Sequence, residues 1–149
     1  MQKLEELITA LEMATGPNYA LEVEIFKYLH PEYADYVQGR GGLVHTNDGC
    51  DQRVLSDVRP GNYTSSIDAA IALTERLLPG WSWTTSDRNR RIIAPKREDG
   101  PWGAVNSPAW WDEDESDEYF EAFASTPAIA LVLSTLRAKL SQEMNNADK

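Results

Sequence analysis

The stretch SSIDAAIALTERLLPGWSWTTS, residues 65–86, contains both repeat periods from which the fold is built. Ser65 opens a capping-box-like Ser-Ser-Ile-Asp, in which a hydroxyl meets the unpaired N–H groups of a first helical turn and Asp68 faces its positive end. Ile67, Ala70, Ile71, Thr74 and Leu78 then recur at helical spacing, and Pro79-Gly80 ends the run. The period changes at once to two. Trp81, Trp83 and Thr85 alternate with Ser82, Thr84 and Ser86, as in a strand with two unlike faces.

Upstream, Leu4, Leu7, Ile8 and Leu11 form the stripe of a first helix that Gly16-Pro17 stops. Asn18 is placed to cap a second helix lined by Leu21, Ile25, Phe26 and Leu29 and ended by His30-Pro31. Residues 1–30 therefore predict a helical hairpin. Between Pro31 and Asn62 the periodicity fades among Gly39, Gly41, Gly42, Gly49, Pro60 and Gly61, which leaves a functional loop or a short irregular hairpin.

Downstream, Asp87-Arg88-Asn89-Arg90 turns the chain toward Arg91-Ile92-Ile93-Ala94, giving a β-hairpin with residues 81–85. A third strand is expected around Gly103 to Asn106 and a fourth within Glu118 to Ser125, with the acidic run from Asp112 to Glu118 as an exposed loop. Thr126-Pro127 starts a last helix whose apolar face is Ile129, Val132, Leu133, Leu136 and Leu140, fraying after Met144. Residues 63–144 thus form a helix-sheet-helix core and 145–149 a tail. The expected class is α+β: an α-β-α sandwich of one small antiparallel sheet, three or four strands, flanked by about four helices.

A chain of 149 residues, 42% hydrophobic and 26% charged, has the size and composition of one folded domain. It shows no apolar run near the ~20 residues a membrane helix needs and no signal-like start. A single cysteine, Cys50, excludes an internal disulfide and fits a reducing cytoplasm. The net charge of −10 repels phosphate backbones, which argues against duplex nucleic acid and anionic membranes as partners.

Three segments resemble the phage ABA sandwich domain family. They are Leu4-Glu5-Glu6-Leu7-Ile8 through Ala14-Thr15-Gly16-Pro17, then Tyr63-Thr64-Ser65-Ser66-Ile67-Asp68-Ala69-Ala70 with Pro79-Gly80-Trp81, and Thr126-Pro127-Ala128-Ile129-Ala130-Leu131. The resemblance implies helices on both sides of a small antiparallel sheet and an origin in a phage or prophage, and it carries over no catalytic residue. The sequence departs from the family pattern in the Gly-rich segment before Tyr63 and in the Trp-rich acidic segment from Trp102 to Glu118.

Residues suited to chemistry fall in four places. Arg88, Arg90 and Arg91, followed by Lys96 and Arg97, concentrate positive charge and could hold a phosphate or carboxylate, although such residues also serve solubility at turns. Tyr63, Thr64 and Ser65 set hydroxyls and N–H groups at a helix start, an anion site or simply a cap. Trp81, Trp83, Trp102, Trp110 and Trp111 crowd together; Trp81 reads as core, Trp83 as a stacking surface, and Trp102, Trp110 and Trp111 as a protein interface. His45, Asp48, Cys50 and Asp51 could suggest an enzyme or a metal loop, but their spacing fits neither zinc nor calcium and Asn47-Asp48-Gly49 is ordinary turn chemistry.

The combined expectation is a non-enzymatic phage anti-defence protein in the cytoplasm of an infected bacterium, without cofactor or metal, that sequesters a nucleotide-derived immune signal. Arg88, Arg90, Arg91 and Lys96 would clamp phosphate, Trp83 would stack on a base, Tyr63, Thr64 and Ser65 would complete the site, and homo-oligomer formation would enclose the ligand. The alternative is an oligomeric protein-interaction module that binds or blocks a host protein through its acidic and aromatic surface.

Overall fold

The computed structural model describes residues 2–34, 36–38, 43–45, 61–87, 100–108 and 118–147. Along the chain these form α1 (Gln2–Met13), α2 (Tyr19–Leu29), a single 3-10 turn (Pro31–Tyr33), β1 (Tyr36–Gln38) and β2 (Leu43–His45). There follow α3 (Ile67–Leu77), β3 (Ser82–Ser86), β4 (Trp102–Asn106), β5 (Tyr119–Phe123) and α4 (Pro127–Ala147). The class is α+β, with four helices, a small antiparallel sheet ordered β3-β4-β5 and a separate two-stranded ladder β1-β2 among the described residues.

The helix boundaries follow from their caps. The Asn18 side chain accepts from Leu21 N at 3.2 Å, and Thr126 Oγ1 accepts from Ile129 N at 3.0 Å, both as the sequence predicts. In α3 the cap lies one residue later than expected: Ser66 Oγ accepts from Ala69 N, while the Ser65 and Ser66 N–H groups both turn back to Asn62 O. With the helix starting one residue later, Ile67 sits in the open first turn, 42% exposed, instead of on the buried face. Gly80, at φ +84°, takes the left-handed conformation that lets the chain leave α3 and enter β3. In α4 the helix runs on to Ala147 because Asn145 and Asn146 provide no Gly or Pro stop.

The central element is α4. From Ala128 through Leu136 every residue is buried, so the helix is covered all round rather than along one stripe. One side lies on the sheet, and other parts of its surface take α1 and α3. Strand alternation puts Trp83, Thr85, Gly103, Val105, Phe120 and Ala122 on the sheet face that meets α4. A β-carbon on Gly103 would lie 2.6–2.7 Å from the backbone of Ala130 and Leu131, so this glycine is what allows strand and helix to approach. The Ser134 hydroxyl shares its proton between Gly103 O at 2.8 Å and Ala130 O at 2.9 Å across that contact.

The hairpin expected onto residues 91–94 lies outside the described residues; the described partner of β3 is β4, in the register Trp83↔Val105. The strands expected at Gly103–Asn106 and within Glu118–Ser125 are present as β4 and β5. Between Pro31 and Asn62 the described residues include the antiparallel pair β1-β2, with Val37 opposite Val44, and residues 46–60 lie outside the described residues. In α2 the buried set is Glu22, Val23, Ile25 and Phe26, whereas Leu21 and Leu29 are half-buried, so a carboxylate occupies the interior where leucines were expected.

Gly103→Ala should destabilise the fold by about 1–3 kcal/mol, because the added methyl meets backbone rather than a side chain that can swing away. A urea-denaturation midpoint no lower than that of the parent would contradict the close approach.

Candidate functional site

The first candidate surrounds Thr64, which is fully buried. Its N–H and its hydroxyl both donate to Glu22 Oε2, each at 3.0 Å, and its Oγ1 accepts from Asn18 N at 2.9 Å. Its carbonyl accepts from Thr126 Oγ1 at 3.2 Å. Thr64 therefore joins the start of α2, the approach to α3 and the cap of α4 in one polar knot. The helices leave this knot in the same direction. Thr74 and Thr135, eight residues beyond Ser66 and nine beyond Thr126, meet at 2.7 Å, and His30 at the far end of α2 reaches Arg76 at the far end of α3.

Three positive helix ends thus converge where the sequence suggests an anion site, and the anion is the protein's own. Glu22, 4% exposed, supplies the acceptor that an external phosphate or carboxylate would otherwise supply. Both donors of Thr64 are committed to it. Ser65 is exposed and Tyr63 half-buried. Sequence reasoning missed Glu22, although the signal was present: Asn18, Glu22, Ile25 and Leu29 fall on one helical stripe, and a carboxylate on an apolar stripe calls for a buried partner.

The second candidate lies on the sheet. Trp83 is 36% exposed on β3, the strand that leads into the arginine-rich segment. Trp102 is half-buried on the opposite face, and its indole N–H donates to Glu121 Oε2 at 3.1 Å; the Tyr119 hydroxyl donates to the same oxygen at 2.9 Å. Tyr119 itself is 46% exposed. Trp102 is thus fixed by an internal acceptor, and Tyr119, which shares it, is the more exposed of the two. Trp81, expected in the core, is half-buried and packs its ring 6.4 Å from that of Phe120.

Arg88, Arg90, Arg91, Lys96, Arg97, Trp110 and Trp111 lie outside the described residues, as do Asp48, Cys50 and Asp51; His45 is described only as a backbone position of β2. Of the expected ligand set, Trp83 on β3 and Tyr63, Thr64 and Ser65 before α3 occupy different elements. Among the described residues no group of three His, Cys, Asp or Glu side chains is arranged to hold a metal ion, and no helix is long and apolar enough to cross a membrane.

Two phenols have perturbed acidity. Burial, then the 2.7 Å hydrogen bond to Glu143 and its negative charge, hold the Tyr28 hydroxyl well above the ordinary tyrosine range. Tyr63 is also raised, chiefly by burial, with Glu22 adding to the effect and a backbone hydrogen bond at Gly61 and the charge of Arg76 opposing it. No protein-family model matches the chain, and neither does any curated protein or solved structure.

Glu22→Ala should destabilise the protein by about 1–3 kcal/mol by leaving the Thr64 donors buried and unpaired, whereas Glu22→Gln, which retains a carbonyl acceptor, should lose less. Equal midpoints for the two variants in chemical denaturation would remove the knot's assigned role. Because both phenols are raised in the folded state, the unfolded chain releases its protons first, above a pH of about 10, and binds fewer than the folded chain. Stability should therefore be intact below that pH and fall as it is exceeded, with Tyr28→Phe flattening the decline in denaturation midpoints.

Proposed function

We propose that the chain is a non-enzymatic accessory protein of phage type that sequesters a nucleotide-derived host immune signal. The observation that carries this reading is the exposure of Trp83. Trp83 keeps 36% of its surface exposed, on the strand whose sequence runs through Asp87 directly into Arg88, Arg90 and Arg91, with Lys96 following. An open aromatic face takes a base by stacking, and guanidinium forks take phosphate oxygens by paired hydrogen bonds, so the two residue types together suit a nucleotide. Thr64, spent on Glu22, is left out of this ligand set.

A second reading draws support from Tyr119, which is exposed on β5 directly after the acidic run and shares the Glu121 acceptor with Trp102. An aromatic and acidic surface suits a basic protein partner, in which case the chain acts as an interaction module that binds or blocks a host protein, as a homo-oligomer.

Native mass spectrometry of protein purified from a bacterial host, compared with the denatured protein, separates the readings. Sequestration predicts a small nucleotide that is retained and then released intact, with Trp83→Ala weakening its retention about tenfold or more through loss of one stacking contact. A ligand-free protein that takes up no added nucleotide signal and instead co-purifies with a host protein supports the interaction module.

A further inference from the structure

Arg76, in the last turn of α3, and His30, the C-cap of α2, face each other across the space between the two helices, with Arg76 Nη1 3.4 Å from His30 Nε2. A guanidinium has donors only, so Nε2 is the acceptor and the proton of the neutral ring sits on Nδ1, on the side of Glu32 Oε1 at 3.6 Å. The negative ends of α2 and α3 account for a basic residue at each position. They do not account for the two being turned toward one another in a chain with 24 acidic residues. Among the described residues this is the one hydrogen bond of Arg76, and no carboxylate lies within ion-pair distance of it. Among the described residues the remaining N–H groups of the fork therefore have no acceptor beside the imidazole nitrogen.

The imidazole is held in place. Its ring centroid lies 4.6 Å from that of Phe26 and 6.2 Å from that of Tyr33, which in turn stacks on Phe26 at 5.6 Å, and Tyr63 packs against the same cluster. The side chain is 28% exposed, so its nitrogen can exchange a proton with water.

We propose that Arg76 and His30 form a clamp for the phosphate group of a small molecule, built from residues other than Trp83 and the arginine-rich segment. The anion enters between the two side chains and accepts from the guanidinium fork. His30 takes one proton from solvent onto Nε2 and donates it to a second phosphate oxygen, while Glu32 on the Nδ1 side stabilises the imidazolium. Among the described residues the charged and titratable groups around the ring are Glu32 on the 3-10 turn, Arg76 on α3, and the phenols of Tyr33 and Tyr63; Glu22 of α2 is engaged by Thr64.

The test is an NMR titration of the full chain at low ionic strength with inorganic phosphate, and with sulfate, whose charge stays constant around neutrality. Saturable perturbation of the His30 imidazole and of α3 around Arg76 is expected. Sulfate should bind about tenfold more tightly at acid pH than at neutral pH. Arg76→Gln should weaken binding at least about tenfold, and Arg76→Lys, which keeps the charge without the fork, by less. Tighter binding of a nucleoside monophosphate than of phosphate supports the clamp with a nucleotide as ligand, and equal binding supports it with a free oxyanion. Perturbation centred elsewhere, or an affinity unchanged in a folded Arg76→Gln protein, overturns it.

Discussion

A carboxylate without solvent, Glu22, holds the beginning of three helices together. Asn18, Ser66 and Thr126 cap α2, α3 and α4, and the chain around Thr64 brings these caps to one end of the molecule. Parallel helices that start together place like partial charges side by side, an arrangement that needs a counter-charge close by. Glu22 provides it from the first turn of α2, and the hydrogen bonds of Thr64 satisfy the oxygen that does so. The opposite polarity of α1 helps as well: its last turn ends beside the start of α4, where the Ser125 hydroxyl donates to Ala14 O at 3.0 Å.

From that fixed end α4 runs between the other layers, and the rest of the packing adapts to it. A helix buried on every side cannot be amphipathic, which is why its small residues matter as much as its leucines. Ser134 and Thr135 turn their hydroxyls to main-chain carbonyls one turn earlier, and in doing so allow close contact with β4 on one side and with Thr74 of α3 on the other. Arg137 closes the outer side, reaching Glu121 O on β5 at 2.8 Å and Glu12 of α1 at 2.7 Å. Sheet, central helix and outer helices are therefore joined through successive residues of one element.

Much of this architecture is legible from local chemistry. Leu4, Leu7, Ile8 and Leu11 are all buried because a helical stripe has one natural place to go, and Asn18 and Thr126 cap as their side chains dictate. The misreadings come from long-range context. Gly103 in isolation marks a weak strand position; only the backbone of α4 above it explains the residue. Ser65 and Ser66 are equivalent as local caps, and the turn onto Asn62 O selects the second. The stripe that holds Glu22 calls for a buried partner but does not name it, and Thr64 lies 42 residues away. The sheet tryptophans show the complementary problem: equal hydrophobicity does not reveal that Trp102 is tied to Glu121 while Trp83, on the face toward α4, stays 36% exposed.

The Thr64 knot also bears on how the chain acquires its structure. Its bonds join residues 42, 46 and 62 positions apart, so none can form while the helices condense locally, and each must await closure of a long loop. Helices that are individually nucleated stay unaligned until that closure, which makes their common orientation a late event along the folding route. In the finished protein the Thr64 amide is consequently a proton that local fraying of any single helix does not release. Its exchange with solvent requires the elements to separate together, so it reports on cooperative opening of the whole molecule rather than on the mobility of its own turn.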